Sequence, residues 1–128
     1  MEKEICLTVP AEREYALVFR MALSGIAHLK DLSVGELDDL RMASDEAFDC
    51  LLHQGTEPQK LQLCVCQTEK GIMVSIAALE MGSSGCQCED AVAMTRAVLE
   101  TLIPELELGT SACGCVTRID MTLPRAYL

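Results

Sequence analysis

The chain has 128 residues and carries 20 acidic against 10 Lys and Arg side chains, a net charge of −10. Affinity for a polyanion rests on Lys and Arg neutralising phosphates, so this balance argues against nucleic acid and anionic membranes and is compatible with a basic protein partner, whose encounter long-range attraction would speed. Half of the residues are apolar but the aromatics are only two Tyr and two Phe, so the core of a single domain spanning 1–128 must be aliphatic.

Glu4 to Val9 alternates and ends at Pro10, which predicts a first strand. Tyr15, Phe19, Ala22, Ile26 and Leu29 then step by four and three, the spacing of one helical face. Ser33-Val34-Gly35-Glu36 has the form of a capping box and opens a second helix. Leu37, Leu40, Ser44, Ala47 and Leu51 continue its stripe, with a stop expected near Gly55 and Pro58 beyond. Leu61 to Gln67 alternates strictly, which turns Leu63 and Val65 to one side and Cys64 and Cys66 to the other.

Glu69-Lys70-Gly71 reads as a hairpin turn into an apolar strand, Ile72 to Leu79, broken by Gly82-Ser83-Ser84-Gly85. Asp90 is positioned to cap a third helix with Ala91, Met94, Val98 and Leu102 along one side, ended by Pro104. Glu105 to Leu108 and Cys113 to Leu123 form a closing strand pair joined around Gly109 to Gly114. The order β-α-α-β-β-α-β-β predicts an α/β (α+β) two-layer sandwich, helices on one face of a mixed, mostly antiparallel sheet. No apolar run approaches a membrane span, and the charged opening Met1 to Glu4 is followed by no apolar leader segment. A cytoplasmic protein with reduced thiols is the expectation.

Eight cysteines stand at Cys6, Cys50 and three C-x-C pairs, Cys64/Cys66, Cys86/Cys88 and Cys113/Cys115. Structural zinc sites use C-x₂₋₄-C spacing. The strand pairs therefore read first as small apolar filler, and a soft-metal or redox use is the competing reading. His28 and His53 sit where helices end and suit the last carbonyls of those helices. Glu46, in a run with Asp38, Asp39, Asp45 and Asp49, reads in isolation as a solvated carboxylate.

Three stretches in sequence order carry a resemblance. They are V-P-A-E-R-E-Y-A-L-V-F-R-M-A-L-S-G-I-A (Val9 to Ala27), L-D-D-L-R-M-A-S-D-E-A (Leu37 to Ala47) and E-T-L-I-P-E-L-E-L (Glu100 to Leu108). Together they resemble the bacterial anti-sigma factors that are also serine kinases of an anti-anti-sigma partner, with the GHKL, histidine-kinase-like ATPase fold. The resemblance implies ATP with Mg²⁺ as cofactor and a homodimer that meets a sigma factor or an anti-anti-sigma protein. It also implies a partner surface that includes the first-helix arginine, here Arg20.

The family's nucleotide motifs are altered in this chain. Its metal-site helix reads E-x-x-x-N, and residues four apart share a helix face. Glu46 matches the catalytic acid, but Cys50 stands at the asparagine position. A thiol is a soft donor and Mg²⁺ wants oxygen. The neighbouring carboxylates Asp45 and Asp49 stand at helical angles different from that of Cys50, so Asp49 would have to reach across to substitute. The adenine-binding D-x-G becomes Glu80-Met81-Gly82, and the phosphate-cradling G-x-G aligns with Ala93-Met94-Thr95. Loss of both glycines removes close backbone approach to phosphate. The resulting expectation is an anti-sigma-like regulator whose ATP binding and kinase activity are weakened or lost. An active serine kinase with a rearranged site, and a thiol-based metal or redox sensor on the same scaffold, stand as alternatives.

Overall fold

The computed structural model of the chain describes residues 3–54, 57–82, 89–111 and 114–125, the side chains of 89–91 excepted. Gly55, the break at 83–85, the Cys86/Cys88 pair, Cys113 and the side chains of Asp90 and Ala91 lie outside the described residues.

Strand β1 (Glu4–Pro10) leads through a 3-10 turn (Arg13–Tyr15) into helix α1 (Ala16–Leu29) and then α2 (Val34–Leu52). Strands β2 (Lys60–Thr68) and β3 (Gly71–Leu79) form a hairpin, followed by helix α3 (Glu89–Leu102). Strands β4 (Glu105–Thr110) and β5 (Val116–Pro124) close the chain. The five strands form one sheet in the order β1-β2-β3-β5-β4. Every pairing is antiparallel, which corrects the expectation of a mixed sheet. The reason is topological. The β4–β5 hairpin folds back so that β5 enters between β3 and β4, and the two parallel strands never touch.

Alternation decides which face is buried. Leu61, Leu63 and Val65 of β2, Ile72, Val74 and Ile76 of β3, and Ile119, Met121 and Leu123 of β5 join one core with Phe19, Leu23, Phe48, Leu51 and Leu99 of the helices. Phe19 and Phe48 meet edge to face, centroids 5.4 Å apart, and tie α1 to α2. The opposite sheet face presents Cys6, Cys64, Met73, Ser75 and Asp120.

Helix α2 begins as its sequence dictates. Ser33 Oγ accepts from the Glu36 amide at 3.1 Å, and Glu36 Oε1 accepts from the Ser33 amide at 2.9 Å. It ends at Leu52, a little before the expected stop, where His53 donates its backbone N–H to the Asp49 carbonyl at 3.0 Å. The His53 ring Nδ1 lies 3.0 Å from the same carbonyl, the helix-end contact expected of it.

Two helical faces differ from expectation. In α1 the buried side chains are Phe19, Leu23, Ile26 and Ala27, whereas Leu29, in the last turn, is 71% exposed. Tyr15 falls in the 3-10 turn and, half-buried, packs against the core with Ala22 as the spacing predicts. In α3 the stripe is shifted by one residue: Thr95 and Leu99, then Ile103 just past the helix end, are buried, while Met94 and Val98 are exposed. Single-face counting could not detect this shift, because apolar residues occupy both rows of the helix.

Candidate functional site

A cleft of about 300 Å³ opens between α2 and α3. Glu46, Asp49, Cys50 and His53 line it from α2 and its C-terminal end, with Gln54 beyond. Val92, Met94, Thr95 and Val98 line it from α3, and Arg13 reaches it from the turn after β1. The helical spacing explains the grouping: positions 46, 49, 50 and 53 recur at three and four and share one face of α2.

Four of the residues singled out by motif therefore meet in one place: Glu46, Asp49, Cys50 and Thr95. Glu46, Asp49 and Cys50 are half-buried, and Thr95 is buried. Among the described residues, Glu80, Gly82 and Ala93 do not line this cleft. Glu80 sits at the end of β3 with a left-handed backbone (φ 54°), and its carboxylate pairs with Lys60 at 3.7 Å. Gly82 and Ala93 are exposed. Arg20 is elsewhere, on α1, within 3.4 Å of Asp45 on α2. Those two buried atoms attract as charges but are not aligned as a hydrogen bond.

Two polar cleft residues, Arg13 and Gln54, were not singled out from the sequence. Arg13 pairs with Asp49 across 36 positions of sequence. Gln54 is buried at the end of the helix, and its carboxamide binds both backbone groups of Val116. The Val116 amide donates to Gln54 Oε1 at 2.7 Å, and the Gln54 amide donates to the Val116 carbonyl. The side chain thus acts as a surrogate strand where β5 begins. No local pattern pairs either residue with its partner, since both contacts are made by the tertiary fold.

The donor set can be weighed against a magnesium nucleotide. Hard Mg²⁺ takes oxygen ligands in near-octahedral array. The position four residues after Glu46 holds a thiol, and the nearest substitute carboxylate, Asp49, is engaged by a guanidinium. On α3 the side chains facing the cleft are Val92, Met94, Thr95 and Val98, an apolar and β-branched wall where anion-binding helices present bare amides. These side chains do not fit a magnesium triphosphate.

No helix of the described chain is long and apolar enough to cross a membrane. The sequence matches no family model, and no curated protein matches it. Its fold does have a solved counterpart. The crystal structure of the RsbU and RsbW domains of Rv1364c from Mycobacterium tuberculosis superimposes with a TM-score of 0.70 at 15% identity. The match covers 98% of this chain and 34% of that one, so the chain spans about a third of its counterpart's length. At that identity the likeness establishes a shared mixed α/β fold.

Proposed function

We propose that the chain is an anti-sigma-factor-like regulatory protein of the GHKL two-layer fold. It works by binding a sigma factor or an anti-anti-sigma protein, as a cytoplasmic homodimer, with ATP binding and serine-kinase activity weakened or lost. The fold shared with a structure that contains an RsbW domain supports the class.

One observation carries the binding half of the reading. The outer side of α1 and the adjoining turn of α2 leave Leu17, Met21 and Met42 exposed, at 53%, 66% and 59%. Leu17 and Met21 are four apart and share a helix side. Met42 and Arg20 line a shallow depression together with Asp38, Arg41 and Asp45. Unbranched methionines beside paired charges make an adaptable apolar patch with a polar rim, the composition of a protein-binding surface.

The cleft supports the loss of nucleotide dependence, through Cys50 at the metal position and Asp49 held by Arg13. The test is calorimetric titration of the purified chain with a sigma factor and with an anti-anti-sigma domain, each with and without Mg-ATP. Expected is binding to one of them that is indifferent to nucleotide and is weakened about tenfold or more by Met21→Asp. Absence of binding to both proteins rejects the regulatory reading.

A second reading keeps one supporting observation, since Glu46 and Asp49 line the same cleft. In an active kinase Glu46 would be the base and Asp49 the metal ligand. Micromolar Mg-ATP affinity, with phosphate transfer to an anti-anti-sigma serine lost in Glu46→Ala, would establish it in place of the first.

A further inference from the structure

The register of β1 on β2 places four chemically soft or acidic side chains in a cross-strand square on the open sheet face. Glu4 stands opposite Cys66, and Cys6 opposite Cys64. The Cys6 and Cys64 Cα atoms are 4.2 Å apart, the closer of the two spacings in an antiparallel ladder, and their sulfurs are joined as a disulfide. This overturns the reading of Cys64 as apolar filler. Antiparallel alternation turns both thiols away from the core, so neither contributes to packing. Glu4 Oε1 lies 3.4 Å from Cys6 Sγ, and the three donor atoms fall within 4.8 Å of one another.

An inert staple and an exchanging pair make different demands on their surroundings. A staple is shielded and holds together parts that would otherwise separate. Here Cys6 is exposed and Cys64 only half-buried. The strands they join are already paired over seven registered positions, Glu4 to Pro10. Strand β1 is also an edge strand, with a neighbour on one side alone among the described residues. An edge strand is held by one ladder and can open locally, and the far end of β1 leads into the turn from which Arg13 reaches the α2–α3 cleft.

We propose that Cys6 and Cys64 form a reversible thiol–disulfide site that exchanges with low-molecular-weight disulfides of the glutathione class and fixes edge strand β1 to β2 when oxidised. In the oxidising direction the Cys6 thiolate, the more exposed of the two, attacks one sulfur of the small disulfide. That S–S bond breaks, and the departing thiolate takes up a proton. The Cys64 thiolate then attacks Cys6 Sγ in the mixed disulfide and expels the second small thiol. Two protein thiols are oxidised to one disulfide while one small disulfide is reduced to two thiols, so atoms and electrons balance. The attacking thiolate forms beside Glu4, whose negative charge slows exchange near neutral pH without preventing it.

The site is tested on the whole chain, reduced and desalted without oxygen, then equilibrated with glutathione mixtures, quenched by alkylation and mapped by peptide mass. At fixed reduced glutathione, mass action requires the oxidised-to-reduced ratio of the pair to rise about tenfold for each tenfold rise in oxidised glutathione. Cys64→Ser is expected to stop at a glutathione adduct on Cys6, and Cys66→Ser to pair as the parent does. Hydrogen exchange of the β1 amides should slow about tenfold on oxidation.

Three results overturn the proposal. The first is independent alkylation of Cys6 and Cys64 at every glutathione ratio. The second is a disulfide that millimolar reduced glutathione leaves intact in the folded protein. The third is one zinc ion per chain, bound to the reduced form with Glu4 and protecting both thiols, which would make this a metal site instead.

Discussion

Gln54 carries more structure than its residue type suggests. Its carboxamide satisfies both the N–H and the C=O of Val116, and all of these groups are buried. Gln54→Leu keeps the volume but strands two buried backbone groups, each costing about 1–3 kcal/mol when unpaired. The variant should lose about 2–4 kcal/mol, read as a lower urea midpoint with unchanged slope. Glu36 makes a second prediction. The Ser33 amide chiefly, and the Arg125 guanidinium with it, hold the Glu36 carboxyl below the ordinary carboxylate value, against the opposing pull of partial burial. A depressed folded pKa stabilises above the unfolded value, and that stability is lost as pH falls through the folded one. Glu36→Gln keeps a capping amide but no charge, so it should cost roughly 1 kcal/mol at pH 7 and nothing at the acid end of the range. Chemical denaturation at several pH values checks whether the gap between parent and variant closes on acidification.

At the scale of elements, the β2–β3 hairpin depends on one glycine. Gly71 has φ 147°, and a Cβ there would stand 2.1 Å from the Leu123 carbonyl oxygen and 2.7 Å from the Arg125 amide. Both obstacles are backbone, so the β3–β5 pairing would have to move. Gly71→Ala should destabilise by about 2–4 kcal/mol, measured by thermal unfolding, and loosen amide protection at the Gly71–Pro124 end of the ladder first. The helices show how far periodicity reaches. The α2 stripe of Leu40, Ser44, Ala47 and Leu51 is buried as its spacing requires, because one face of that helix is apolar and the other charged. Helix α3 offers two apolar rows, and packing against α2 and the sheet chose Thr95 and Leu99 over Met94 and Val98.

For the whole molecule, the α2–α3 cleft concentrates the functional question. If its shape and donors together exclude a magnesium nucleotide, correcting one donor is insufficient. Cys50→Asn is expected to leave Mg-ATP binding undetectable in a calorimetric titration, because Arg13 still engages Asp49 and Val92, Met94, Thr95 and Val98 still line the α3 side of the cleft. Micromolar binding by that single variant would refute the α3 reading, whatever the state of the thiol pair on the opposite face of the sheet.

Strand alternation, the capping box at Ser33 and the position of Glu46 and Cys50 on one helix face were legible in the residues. Each depends on neighbours within a few positions, and local periodicity encodes such neighbours directly. Asp49, set at a different helical angle from Cys50, was placed in the cleft by the structure. Two further features arise between segments far apart in the chain. These are the insertion of β5 between β3 and β4, and the gathering of Arg13 and Gln54 at the cleft. The pairing of Cys6 with Cys64 belongs with them. Alternation showed which side of its strand Cys64 faces, but register alone decides which residue it meets, and a slip of one residue would have turned it to the other face. The local pattern thus determined the elements and their buried faces. The tertiary structure decided the neighbours, because contacts between distant segments follow from how complementary faces pack and no short stretch of sequence contains both partners.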